Sequence, residues 1–205
     1  MSSNTAAKTP ANTTTKTRMM VQIAMLTAVA EVLMLFDFPL PFAPSFYKID
    51  LSEVPILIGC FAMGPAAGII IEAMKILLNF IISGTVTAGV GELANFAIGC
   101  SMVLPAGLIY RYHKTRKNAV LGMVAGTLVM ASIGGLLNAF VLLPAYAALF
   151  GGMDAIIGMG TAVNKNITSV QSFVLLSVVP FNLVKGVIVS LVTFLLYKHV
   201  SRVLI

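Results

Sequence analysis

The chain has 205 residues, of which 59% are hydrophobic and only 10% charged, with a formal net charge of +6. A soluble domain is about a quarter charged, so this chain lacks the polar surface that a water-exposed globule needs. With a mean hydropathy of +0.99, it reads as an integral membrane protein, and its apolar runs approach the roughly 20 residues that span hydrocarbon.

The first 18 residues form a polar, Thr-rich tail whose composition favours disorder, and which is too poor in basic residues for a nucleic-acid arm. An apolar run over 19–36 follows, with no small-x-small cleavage site at its end, and is read as a retained helix. On it Ala24 and Ala28 lie one turn apart, a spacing that lets another helix approach closely. Asp37 to Ser52 is a long segment rich in Pro, Phe and Tyr. Two readings fit it: a stiff apolar cover over a planar ligand, or a loop lying on the headgroups.

Further helices are predicted near 53–63, 65–83, 90–111, 118–148 and 170–200. Gly64-Pro65 separates the second from the third, because proline disfavours helical geometry in the residue before it and supplies no N–H. The second helix is short for a full crossing. Residues 150–170 form a second long loop. The fold class expected is therefore an all-α, six-transmembrane-helix bundle occupying 19–205 as one domain. Gly122 and Gly126 on the fifth helix repeat the small-residue spacing and predict packing within the bundle.

The basic residues orient this bundle. Lys8, Lys16 and Arg18 precede the first helix; Arg111, Lys114, Arg116 and Lys117 join the fourth to the fifth; Lys198 and Arg202 end the chain. Six crossings place all three clusters on one side, the cytoplasm, with both termini there. On the other side Lys48 and Lys165 are balanced by Asp37, Asp50, Glu53 and Asp154. The positive charge is thus a topology signal and argues for no nucleic-acid partner.

Polar residues inside a bundle are functional candidates. Lys185 is the most costly: an ammonium at mid-membrane costs roughly 3 kcal/mol on insertion scales, so it needs a partner, water or a ligand. It lies at i, i+3 from Asn182, after Pro180. Glu72, Lys75 and Asn79 share a face of the third helix, and the first two are expected to neutralise each other near its cytoplasmic end. Glu92 and Asn95 open the fourth helix. Glu92 either caps that helix, as its dipole favours, or faces a ligand or Lys185. Asn138 is a lone amide in the fifth helix and taken singly predicts an interhelical hydrogen bond. Taken together, Glu92, Asn95, Asn138, Asn182 and Lys185 come from three helices whose outer halves converge beneath the aromatic loop, which describes a ligand pocket.

No phosphate loop, His-Glu-x-x-His or Ser–His–Asp set is present, and Cys60 and Cys100 have no metal-like spacing. The expectation is no catalytic activity, no metal and no cofactor.

An ordered set of segments carries a family resemblance. It comprises Pro-Leu-Pro-Phe with Tyr-Lys-Ile-Asp-Leu-Ser-Glu-Val-Pro from residues 39–55, Met-Gly-Pro-Ala-Ala-Gly at 63–68, Gly-Glu-Leu-Ala-Asn-Phe-Ala-Ile-Gly at 91–99, Asn138 with Leu-Pro-Ala-Tyr, and Pro-Phe-Asn-Leu-Val-Lys-Gly at 180–186. Through these the chain resembles the riboflavin-binding S components of energy-coupling-factor (ECF) vitamin transporters. The resemblance implies a bundle in the cell membrane that binds riboflavin at its outer face and works with a membrane T component and two cytoplasmic ATPases. It implies that Asn138 and Lys185 are polar ligand contacts, that Leu40, Pro41, Phe42 and Ala43 cover the flavin, and that Ala24 and Ala28 dock on the T component. Tyr47 and Lys48, at the end of the same loop, are counted with the site. Glu92, Asn95 and Asn182 join it from their placement, and Glu92 is expected to be the counter-charge of Lys185, because riboflavin is neutral. Other readings are an S component for another vitamin, or a stand-alone secondary carrier; the second is disfavoured by the lack of a clear internal repeat.

Overall fold

A computed structural model describes residues 11–85 and 87–204, with side chains from Thr15 to Tyr197. Helix α1 runs from Ala11 to Leu35, so the tail expected over 1–18 is helical from Ala11 onward; residues 1–10 lie outside the described residues. A short antiparallel hairpin follows, β1 (Phe38–Pro39) paired with β2 (Lys48–Ile49), in the register Phe38 to Ile49 and Pro39 to Lys48. Helices α2 (Glu53–Met63) and α3 (Pro65–Ser83) are split at Gly64, whose φ of 102° only glycine adopts without strain, while Pro65 opens α3 where no N–H is needed. Helix α4 is Val90–Tyr112 and α5 is Arg116–Leu137, the latter capped by the Thr115 side chain, which accepts from the Asn118 N–H.

The last two predicted helices are each interrupted by one wide π-helical turn. Helix α5 passes through Asn138–Leu142 into α6 (Leu143–Phe150). Helix α8 (Val170–Phe173) passes through Val174–Val178 into α9 (Val179–Leu204). Both turns sit just before a proline, Pro144 and Pro180. A proline ring clashes with the carbonyl four residues back and cannot donate to it, so widening the preceding turn relieves both problems.

One expectation is corrected. The loop predicted over 150–170 contains an 11-residue helix, α7 (Met153–Val163). Among the described residues, five helical stretches are long and apolar enough to cross a membrane: Thr15–Leu35, Pro65–Ser83, Val90–Tyr112, Arg116–Phe150 and Val170–Tyr197. Glu53–Met63 and Met153–Val163 are shorter apolar helices. The protein is all-α in its membrane-spanning part and multi-pass.

Two apolar clusters organise the bundle. One unites α1–α5 with the C-terminal part of α9 around Ile56, Ile71, Met102 and Met130. At its far end Phe61, Tyr110 and Tyr197 pack together, and the two tyrosine hydroxyls are 2.9 Å apart. The C-terminal ends of α2, α4 and α9 therefore meet at one pole. The second cluster lies at the opposite pole, where Tyr47 and Ile49 of the hairpin loop pack on Leu143, Ile156, Ile167 and Phe173. Gly122 and Gly126 do pack inside the bundle, as expected. A methyl group at Gly122 would lie 2.7 Å from the Ala106 carbonyl oxygen, and one at Gly126 would strike that of Met102. In contrast Ala24 and Ala28 are exposed on the outer face of α1.

Candidate functional site

A cavity of about 690 Å³ opens at the hairpin pole, between the loop after α1 and the ends of α3, α4, α5 and α9. Its size suits a small organic ligand, since such pockets run to several hundred cubic ångströms. Phe46, Tyr47, Tyr146 and Phe181 supply an aromatic wall, and Glu92, Asn95, Asn138, Asn182 and Lys185 supply polar groups. All five of the polar residues predicted from separate helices thus reach one cavity. Tyr47 and Lys48 line it as well, whereas Leu40, Pro41, Phe42 and Ala43 do not. Leu40 and Ala43 pack into the apolar cluster at this pole, and Pro41 and Phe42 face outward.

The amides are held by the wide turns that carry or precede them. Asn138 is 2% exposed, its Nδ2 donates to the Gly134 carbonyl at 2.8 Å, and its Oδ1 accepts from the Tyr47 hydroxyl at 2.5 Å. Asn182 donates to the Val178 carbonyl at 2.9 Å, inside the turn opened ahead of Pro180. Gly134 makes room for it: a β-carbon there would sit 2.9 Å from Asn182 Nδ2. Tyr47 thereby ties the hairpin loop to α5, and burial pushes its phenol up from its ordinary value.

The charges are paired differently from expectation. Lys185 Nζ donates to Asp50 Oδ2 at 2.9 Å, and the two side chains are 11% and 9% exposed. Glu92 does not serve Lys185; it accepts from Thr85 Oγ1 at 3.1 Å and, at 3.5 Å, from Thr87 Oγ1 in the turn before α4. Burial alone would raise the Asp50 carboxyl. The Lys185 ammonium, aided by Lys75 and by the Ser52 hydrogen bond, outweighs this and holds it below the usual carboxylate range.

Lys75 and Glu72 do neutralise each other, at 3.0 Å, but not at the pole of Phe61, Tyr110 and Tyr197 where the cytoplasmic end is expected. Lys75 also donates to Glu53 Oε1 at 3.0 Å and to Ser52 Oγ at 3.3 Å, at the start of α2 and on the cavity side. Lys75 and Glu72 are wholly buried and Glu53 is 1% exposed. Gly99 of α4 gives the carboxylates their space, since a β-carbon there would collide with Glu72 and stand 3.2 Å from Glu53 Oε1. Of the four acids assigned to the outer surface from sequence, Asp37 does pair with exposed Lys48 at 3.0 Å. Asp50 and Glu53 instead enter the interior. The remaining third-helix residue, Asn79, lines the cavity and donates to Glu31 of α1 at 3.2 Å.

Sequence reasoning missed Glu31, Asp50, Ser52 and Glu53. A signal for the acids was present: two lysines in apolar helices require buried acids, and Asp50 and Glu53 flank the start of a short apolar helix.

The family profile described as "ECF transporter, substrate-specific component" matches residues 18–197. The chain belongs to that family. This S component is 35% identical over 185 residues to "Riboflavin transporter RibU" of Staphylococcus aureus, covering 90% of this chain and 91% of the relative. It is 33% identical to "Riboflavin transporter FmnP" of Bacillus subtilis, covering 89% and 91%. A solved structure, "Structure and mechanism of the S component of a bacterial ECF transporter", superimposes with a TM-score of 0.73 at 35% identity, covering 92% of this chain and 98% of the other. The S-component assignment accounts for a binding cavity of this kind, and the protein is a transport component, not an enzyme.

Proposed function

We propose that this S component binds riboflavin in the cavity at the hairpin pole and imports it with a membrane T component and two cytoplasmic ATPases. The observation that carries the reading is the composition of that cavity. Riboflavin presents a planar three-ring system, a uracil-like edge and a ribityl chain. The cavity offers aromatic walls for the first, and amides with one ammonium for the other two. Relatives named as riboflavin transporters match the chain over most of its length, which supports the same ligand here.

The reading orients the bundle with six crossings, counting the short α2, and with both termini in the cytoplasm of a cell-membrane protein. The basic clusters at Arg111–Lys117 and at the chain ends favour that orientation. The cavity then opens to the exterior. Binding sites are assigned to Tyr47, Lys48, Glu92, Asn95, Asn138, Asn182 and Lys185, with the segment Leu40 to Ala43 as an outer cover that closes on the ligand. Ala24 and Ala28 are assigned to T-component docking; their exposure on α1 fits a surface awaiting a helix.

Purification tests this directly. A yellow preparation with flavin absorbance, or tight quenching of added riboflavin fluorescence, is expected. A colourless protein that ignores riboflavin but binds another vitamin refutes the ligand while leaving the class intact. Uptake into vesicles only when the T component and ATPases are co-reconstituted is the result expected for an S component; equal uptake by the chain alone makes it a secondary carrier.

A further inference from the structure

Lys185 poses a problem that riboflavin does not solve. The ligand is neutral, and a lysine has a flexible stem and three N–H donors to place. A mobile ammonium in a half-wet cavity would lose much of its worth as a recognition group, because ordering it on binding costs side-chain entropy. The structure contains a continuous polar chain that orders it in advance. Asp50 Oδ2 accepts from Lys185 at 2.9 Å. The other oxygen, Asp50 Oδ1, accepts from the Ser52 backbone N–H at 2.8 Å and also from the Ser52 hydroxyl. Ser52 Oγ in turn accepts from Lys75 Nζ at 3.3 Å, and Lys75 is fixed between Glu53 and Glu72, each at 3.0 Å.

We propose that Asp50 is a positioning residue for ligand recognition, aiming Lys185 into the cavity, and that Ser52 and Lys75 hold Asp50 in that geometry. The inference rests on the riboflavin reading above. Asp50 takes one N–H of Lys185 and leaves two for a ligand. It also supplies the negative charge that a neutral vitamin lacks, so Lys185 stays paired whether the cavity is empty or full. Lys75 lies behind the cavity wall and reaches Asp50 through the Ser52 hydroxyl. The role falls to Asp50 and not Glu92 because Glu92 is engaged by Thr85 and Thr87.

A double-mutant cycle on riboflavin affinity tests the proposal, read by flavin fluorescence quenching in the purified full chain. Asp50→Asn strands Lys185 as an unpaired buried cation and is expected to weaken binding roughly 30-fold or more. Lys185→Met is expected to weaken it comparably. Because Asp50 acts through Lys185, Asp50→Asn added to Lys185→Met is expected to cost less than about threefold further, a strong departure from additivity. Ser52→Ala is expected to weaken binding several-fold in the wild-type background and not in Lys185→Met. Additive losses, or a wild-type affinity in Asp50→Asn, overturn the proposal while leaving riboflavin as the ligand. Absence of riboflavin binding by the wild type overturns the functional reading, and this role with it. If Asp50→Asn does not fold, Lys185→Met against the double variant still decides the matter, since there the ion pair is removed as a unit; equal affinities support the role and a further tenfold loss overturns it.

Discussion

Lys75→Met is the most informative single perturbation of the bundle interior. Lys75 is wholly buried and holds two carboxylates, Glu53 and Glu72, each at 3.0 Å, together with the Ser52 hydroxyl at 3.3 Å. Methionine fills a similar volume, so the change removes charge without opening a large cavity. It leaves two carboxylates with no cation beside them, and breaking a buried pair by deleting one partner costs about 3–5 kcal/mol. For a chain of this size each kcal/mol moves the melting temperature by about 2–4 °C, so a fall of roughly 6–20 °C is expected.

Thermal unfolding in detergent, followed by intrinsic fluorescence or circular dichroism, reads that shift. The triple replacement Glu53→Gln, Glu72→Gln and Lys75→Met removes the ions together and is expected to recover most of the loss. Lys48→Met is the matched control. Its pair with Asp37 has the same 3.0 Å separation but side chains 46% and 39% exposed, so at most about 1 kcal/mol is at stake. A Lys75→Met variant melting as high as Lys48→Met would refute the claim that burial makes this triad an electrostatic junction.

Gly99→Ala puts a methyl group into the space used by Glu72 and Glu53, and is expected to cost about 1–3 kcal/mol of stability, read by the same melting assay. Asn138→Ala strands the Tyr47 hydroxyl and removes a predicted ligand contact; riboflavin titration is expected to show at least a roughly tenfold weaker affinity, and an unchanged one would remove Asn138 from the site. Ala28→Trp on exposed α1 should leave riboflavin binding intact while abolishing uptake in vesicles containing the T component and ATPases, whereas full uptake would move the docking surface elsewhere. The Asp50 carboxyl is held below its ordinary range in the folded protein, so its contribution is complete above the unfolded value and is lost as pH falls through the folded one. Melting temperature against pH should therefore drop on strong acidification in the wild type, and Asp50→Asn should lie lower at neutral pH with a shallower acid limb.

Much of the architecture was legible because the bilayer imposes long apolar runs and punishes breaks. Gly64-Pro65 marked the split between α2 and α3, and the helices carrying Asn138 and Lys185 were placed well enough to bring five polar residues into one cavity. The helix in 153–163 is only 11 residues long and carries glycines at 158 and 160, so it lacks the long apolar run that marks a crossing. Partner assignment failed for a different reason. Spacing along a helix says which residues share a face, but not how far a loop tucks inward. Asp50 and Glu53 lie where a loop becomes a helix, and only the hairpin of 38–49 and its packing on Phe173 and Leu143 carry them into the bundle.

That inward tuck explains how a cavity proposed for a neutral ligand can hold so many ions. Lys185 and Lys75 together face Asp50, Glu53 and Glu72, and every one of these contacts involves residues 50–53 or a single turn of α3. The hairpin segment that lines one side of the cavity is thus the same segment that neutralises the helices beneath it. Its Tyr47 end is tied to Asn138 and its Asp50 end to Lys185, so two predicted ligand contacts are held in place by this segment. Pre-ordering of this kind lowers the entropic cost of binding. It also makes the amide and the ammonium mechanically dependent on residues 47–53, whereas Pro41 and Phe42 at the loop tip are exposed. Substitutions at Tyr47, Asp50, Ser52 and Glu53, all buried, should consequently damage both folding and affinity, read by melting and by riboflavin titration.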